Sequence, residues 1–249
     1  MEGGKILRNS QIVILGICIA VATIASSVIL SQGFLKVMKF MREQINVTGS
    51  ATKEIKSDYI VWRAAFYKRD TNMKTAYANL KQDLDEVMRY LKDKGVNEKE
   101  AIISQINTST IYKKNDKGND TNTIEAYKLS QSIEIRSNDV QKIDHVSRES
   151  TELINLGIEF ESTPPDYFYT KLDELKLEML GKATENAKQR AENMVKATGN
   201  KIGFMKSAKM GVFQITPITS TDVSDWGIND TTSLDKKVMA VVTASFSIE

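Results

Sequence analysis

Cysteine is all but missing from this chain of 249 residues, and the one it has, Cys18, falls inside an apolar run. No disulfide can form within the chain, so the fold rests on packing alone. Histidine is equally scarce: with His145 alone and no cysteine cluster, a zinc site is not expected. Three prolines and 13 glycines exclude collagenous and low-complexity classes. Nor is there a dense block of like charge, because 34 basic and 32 acidic residues are interspersed to a net +2. Without a broad electropositive footprint, nucleic acid is not an expected partner. What remains is a globular balance, 41% apolar and 27% charged, in a length suited to an anchor plus one large or two small domains.

Residues 12–30 carry no charge and read Ile-Val-Ile-Leu-Gly-Ile-Cys-Ile-Ala-Val-Ala-Thr-Ile-Ala-Ser-Ser-Val-Ile-Leu. As a helix they cover roughly 28 Å, close to the thickness of a bilayer's hydrocarbon core. This predicts a transmembrane anchor over 12–30, preceded by a short tail over 1–11 and followed by a basic juxtamembrane linker over 31–43. Lys5 and Arg8 stand before the run, and Lys36, Lys39 and Arg42 after it, so the positive-inside count is nearly balanced and charge alone does not orient the chain. A cleavable signal peptide is the competing reading, with Thr23-Ile24-Ala25 or Ala25-Ser26-Ser27 near the cut. The run is longer than the usual h-region of about 7 to 15 residues, which favours an uncleaved anchor. Both readings export the rest. A lipoprotein site at Leu15-Gly16-Ile17-Cys18 is disfavoured by the bulk of Ile17, and Cys18 reads as a small apolar side chain. The expected placement is the cytoplasmic membrane, single-pass, with residues 44–249 extracytoplasmic, periplasmic or at the cell surface.

Beyond the anchor, residues 44–51 alternate and residues 59–67 place Ile60, Trp62, Ala64 and Phe66 on one face. With a polar turn over 53–58 they predict a hairpin. Met73, Tyr77, Leu80, Leu84, Val87, Met88 and Leu91 recur at helical spacing, with Asp70 or Thr71 as N-cap and Gly95 as stop. Residues 102–112 and 127–136 predict two more strands around a turn at 115–120. That turn is a poor calcium loop, with lysine at its third position and no glutamate at the required spacing. Asp139 begins a second helix ending at Gly157, residues 158–162 form a short strand, and a third helix is expected over 166–197. On it Ala183, Ala187 and Ala191 make a narrow face suited to close approach. Residues 202–215 and 238–248 read as strands, separated by a polar loop over 219–237 that contains Trp226. Loops of such length are often functional, and Trp226 reads either as a partner anchor or as folded back onto its own domain.

Several of these segments carry a family likeness. Ile45-Asn46-Val47-Thr48-Gly49-Ser50-Ala51 with Ser57-Asp58 is one; Tyr127 to Ile135 followed by Asp139, Gly157-Ile158 and Phe160 is another. The most telling is Ala183-x3-Ala187-x2-Arg190-Ala191-Glu192-x2-Val195-x3-Gly199-x-Lys201-Ile202-Gly203. In this order they resemble the SIMPL-domain family of YggE-like bacterial and archaeal envelope proteins, over residue 44 to the C-terminus. Ser50 and Ala51 are less glycine-rich than many family openings. The resemblance implies an α+β fold: a transmembrane helix, then a SIMPL-type domain of antiparallel β-hairpins packed with about three helices over 44–249. It further implies no established enzymatic activity, a link in some members to oxidative-stress defence, and homo-oligomeric assembly.

The residues themselves supply no catalytic constellation. His145 lies near Asp144 and Glu149 without a nucleophile elbow, and Gly199-x3-Gly203 follows a helix instead of opening one. The pairs Glu149 with Glu152 and Asp173 with Glu174 sit among basic residues, as solvated helix faces do. Of ten methionines, Met88, Met179 and Met194 fall on apolar stripes, where gap-filling accounts for them. No catalytic, cofactor-binding or metal residues are therefore expected, and the function expected is a membrane-anchored, non-enzymatic extracytoplasmic protein. Its partners are the membrane, through residues 12–30, and copies of itself or another envelope protein. The rival is an extracytoplasmic ligand-binding sensor or hydrolase using loop 219–237 over a concave site.

Overall fold

The computed structural model describes the backbone of residues 3–249 and the side chains of residues 13–38 and 43–249. The side chains of Lys5, Arg8, Ile12, Lys39 and Arg42 lie outside the described set, as do the first two residues of the tail. Helix α1 runs unbroken from Gly3–Arg42. Its apolar span is Val13–Met38, with mean hydropathy 2.7, and none of it is buried in the protein. The helix continues through the segment expected as a basic juxtamembrane linker over 31–43, as far as Arg42, and Phe34, Leu35 and Val37 prolong its exposed apolar surface. Glu43 alone separates α1 from the first strand.

The rest forms an α+β fold of mostly antiparallel strands with three further helices. Strands β1 (Gln44–Lys56) and β2 (Tyr59–Asp70) do not pair as the expected hairpin. Only Ser57 and Asp58 separate them, and their N–H groups donate to Leu234 O and Phe168 O, so the chain passes from one sheet to the other. By contrast β4 (Asn107–Lys114) and β5 (Asp120–Ser137) do form the expected hairpin, with Asn115 Oδ1 accepting the Lys117 and Asn119 N–H groups at its tip. Helix α2 (Met73–Asp93) is capped by Asn72, not by Asp70 or Thr71; Asp70 instead accepts the Asn72 N–H at 2.7 Å. Helix α3 (Val140–Glu149) has the expected Asp139 cap and continues as a tighter turn to Gly157 at φ +81°. The long helix does not begin at 166: β7 (Asp166–Phe168) first pairs with residues 59–61, and α4 is Leu172–Lys196. Asp58 holds the intervening turn by accepting from Thr170 N at 2.7 Å and Thr170 Oγ1 at 2.8 Å.

Two compact units result. Unit 2 comprises residues 51–180 and 212–240. It holds a six-stranded sheet ordered β3-β5-β2-β6, with β3 at Ala101–Ile103, β6 at Glu159–Ser162, β4 on β5 and β7 on β2. Its core gathers Trp62, Phe66, Leu80, Leu129, Ile133, Ile143 and Leu153 between that sheet and helices α2 and α3. Unit 2 also contains β9 (Gln214–Pro217), β10 (Ile228–Asn229) and the first part of β11 (Asp235–Ile248). Unit 1 comprises residues 1–50, 181–211 and 241–249. There β8 (Ile202–Met210) pairs with the end of β11, and Val47, Ala187, Ala191, Ala244 and Phe246 form a small core. The single strand expected over 202–215 is thus two, broken at Gly211.

Candidate functional site

The rival reading sets loop 219–237 over a concave site, and unit 2 has a cleft of about 370 Å³ to which Thr232 contributes. Helix α3 lends it Asp144, Ser147 and Arg148, and the segment around Pro164 and Pro165 forms the other wall. Arg148 sits four residues after Asp144, one helical turn on, which places its Nη2 3.1 Å from the carboxylate. Tyr167 comes from β7, and its hydroxyl donates to Asp144 Oδ1 at 2.5 Å. Burial opposes the Asp144 charge, but the hydrogen bonds from Tyr167 and Arg148 together outweigh it and hold the carboxyl below the usual carboxylate range. Burial and the same bond push the Tyr167 phenol up to about 12, so it stays a donor at neutral pH.

The hydroxyls of the cleft are tied to structure. Ser147 Oγ donates to Asp144 O at 2.8 Å, Thr163 Oγ1 to Arg63 O at 2.7 Å, and Ser162 Oγ accepts from Trp62 Nε1 at 3.0 Å. His145 lies outside the cleft, with a side chain 70% exposed and paired with Glu149 at 3.1 Å. The arrangement offers polar contact from a charged pair and a phenol. Neither Tyr167 nor Lys236 carried a local sequence signal; only Asp144 was visible, as a neighbour of His145.

Beneath the loop, Lys236 is 2% exposed and donates to Tyr167 O at 2.6 Å and Asp230 O at 2.5 Å. Burial draws its ammonium pKa down, against the opposing pull of Asp230 and Asp166. Lys237 Nζ reaches Ser220 O at 2.7 Å, and buried Gln214 holds both backbone groups of Ser224, its Nε2 donating to Ser224 O at 2.6 Å. Strand β10 pairs in parallel with Gln214 and Ile215. The long polar segment is therefore a fastened loop. It presents Trp226 outward, 93% exposed, with Val223 at 68%, which decides against the folded-back reading.

In unit 1 the alanine face behaves as its spacing predicted. Ala183, Ala187 and Ala191 are fully buried, and Gly49 of β1 packs on them so closely that a Cβ there would lie 2.7 Å from Ala187 Cα. Arg190 Nη1 donates to Thr48 O at 2.9 Å and Asn186 Oδ1 accepts from Ser50 N at 3.1 Å, so polar residues beside the alanines fasten β1 to α4. Past the helix end, Val195, Lys196, Gly199, Lys201 and Ile202 line a concavity of about 500 Å³. Met179 is buried and Met88 packs on the core, as expected, but Met194 is exposed. It occupies the outer side of the stripe, 57% exposed.

Among the described residues, no group of three or more His, Cys, Asp or Glu side chains gathers for a metal. No curated protein matches the chain. The family model SIMPL, described as a protein of unknown function (DUF541), matches residues 45–246, and the chain belongs to that family.

Proposed function

We propose, starting from a SIMPL-family domain carried on an apolar N-terminal helix, that this protein is a non-enzymatic envelope component. Its domain stands outside the cytoplasmic membrane and assembles with copies of itself, or with another envelope protein. The observation that supports this best is the fastened loop that presents Trp226 to solvent, since aromatic anchors held rigid on a surface are typical centres of protein interfaces. A role in oxidative-stress defence draws support from Met194, Met205 and Met210, whose exposed thioethers are open to reversible oxidation. The experiment is chemical crosslinking of the full chain in native membranes, with protease added outside the cytoplasmic membrane. Ladders of multimers and digestion without breaching that membrane are expected; a monomer, or protection until the membrane is opened, overturns the reading.

A second reading, an extracytoplasmic ligand-binding sensor or hydrolase, is favoured by one observation: Thr232 of the loop lines a polar cleft with Asp144, Arg148 and Tyr167. Ligand-induced protection of the cleft amides in hydrogen exchange would select it.

A further inference from the structure

Unit 2 carries a second unfilled apolar feature besides Trp226. A groove of about 370 Å³ lies between the start of α2 and strands β4 and β5, lined by Met73, Lys74, Tyr77, Ile106, Thr108 and Leu129. Met73 and Tyr77 are about half exposed within it, so the groove presents large apolar side chains to solvent. We propose that Trp226 of one copy seats in this groove of the next copy, joining copies head to tail; the proposal rests on the self-assembly reading above.

Charge selects the pairing. Asp222 and Asp225 flank Trp226, and residues 212–234 contain no lysine or arginine. Lys74 and Lys81 stand one turn to either side of Tyr77 on α2, and residues 71–82 contain no acidic residue. Asp70, the nearest carboxylate before them, accepts the Asn72 N–H. An acidic collar around an indole thus meets a basic rim around an apolar groove, the complementarity that fixes register at an interface.

Position excludes self-occupancy. The loop rejoins the sheet where Thr231 O accepts the Tyr167 N–H, and Tyr167 pairs with Ile60 at the start of β2. The groove lies beside Leu129, which pairs with Lys68 near the end of β2. Eight residues of strand separate the two positions, roughly 27 Å at about 3.4 Å per residue. Trp226 is five residues from Thr231, a reach of at most about 18 Å, and β10 and Gln214 shorten it further. Plug and socket are different surfaces of one copy, and a contact repeated head to tail between them propagates into a ring or an open chain.

The test uses the full chain with Cys18→Ala, copies bearing Val223→Cys and copies bearing Lys74→Cys being co-expressed in one membrane and then oxidised. A disulfide-linked dimer in the mixture, absent when either variant is alone, is expected. Adding Trp226→Ala or Ile106→Asp should weaken association by roughly 30-fold, the loss of one interface anchor. Multimers without this crosslink would overturn the docking and leave self-assembly standing. A monomer by light scattering in detergent would remove both. Quenching of Trp226 by brominated lipid would place the indole in the bilayer and overturn the protein contact.

Discussion

Gly49→Ala tests the closest approach found at any described glycine. The added Cβ would meet the backbone of α4 at Ala183 and Ala187, falling 2.7 Å from Ala187 Cα. Ordinary carbon contacts need about 3.5 to 4.0 Å, so the helix must withdraw by roughly an ångström. Because the obstacle is backbone, no side-chain rotation relieves it, and withdrawal loosens all three buried alanines together. Overpacking of this kind costs about 1 to 3 kcal/mol, and here the upper end applies. Replacing glycine also restricts the unfolded chain, which returns roughly 0.4 to 1 kcal/mol. The net loss is about 2 kcal/mol, or a fall in Tm of roughly 4 to 8 °C for a domain of this size. Gly181 is the control: it lies in α4 with nothing within 4 Å of its Cβ position. Gly181→Ala should therefore stabilise by about 1 kcal/mol from helix propensity alone. Calorimetry of the full chain in detergent reads both. Equal transitions for Gly49→Ala and the parent would refute the packing described for β1 and α4.

Three further outcomes follow from unit 2 and from the exposed thioethers. Tyr167→Phe removes a bond to a charged acceptor and should cost about 1.5 to 3 kcal/mol in urea unfolding. The pH limbs of that bond have opposite signs. Asp144, with its folded pKa lowered, stabilises above the ordinary carboxylate range and loses this as pH falls through the folded value. Tyr167, with its pKa raised, stabilises below the ordinary phenol value and loses this as pH climbs toward about 12; absorbance titration of the phenol checks the upper limb, and normal ionisation near pH 10 would contradict it. Lys236→Met leaves the carbonyls of Tyr167 and Asp230 unpaired and should cost roughly 2 kcal/mol, with faster hydrogen exchange over 228–237; unchanged exchange would deny the lysine its fastening role. Under limited peroxide, Met194, Met205 and Met210 should become sulfoxides well before buried Met179, as peptide mass spectrometry reports, and simultaneous oxidation would contradict their assigned exposures.

Patterns set by local periodicity were readable from the chain. The alanine face of α4, the α3 cap at Asp139 and the β4–β5 hairpin each depend on residues within a turn or two of one another. The failures were non-local. Nothing in residues 166–168 announces a strand, because that strand exists only by pairing with residues 59–61. The β1–β2 hairpin looked sound, yet Ser57 and Asp58 bond to Leu234 and Phe168, partners more than a hundred residues away. The cleft was illegible for the same reason: Asp144 acquires its role from Tyr167, and beneath the neighbouring loop Lys236 is held by the carbonyl of Tyr167, 69 residues away, as well as by that of Asp230. Loop 219–237 was identified by length and polarity, but its rigidity comes from Gln214 just outside it.

The division of the chain into units has a consequence for the order of biosynthesis. Unit 1 draws on residues up to 50, on 181–211 and on 241–249, whereas the larger part of unit 2 is continuous from 51 to 180. During synthesis helix α1 and the first half of β1 emerge early but must wait until β11 has left the ribosome. Most of unit 2 can begin folding long before, so a strand made late closes a unit begun early. A chain stopped at Ala240 would lack the residues that pair with β8, and that strand should then be cut readily by protease while the sheet of unit 2 resists.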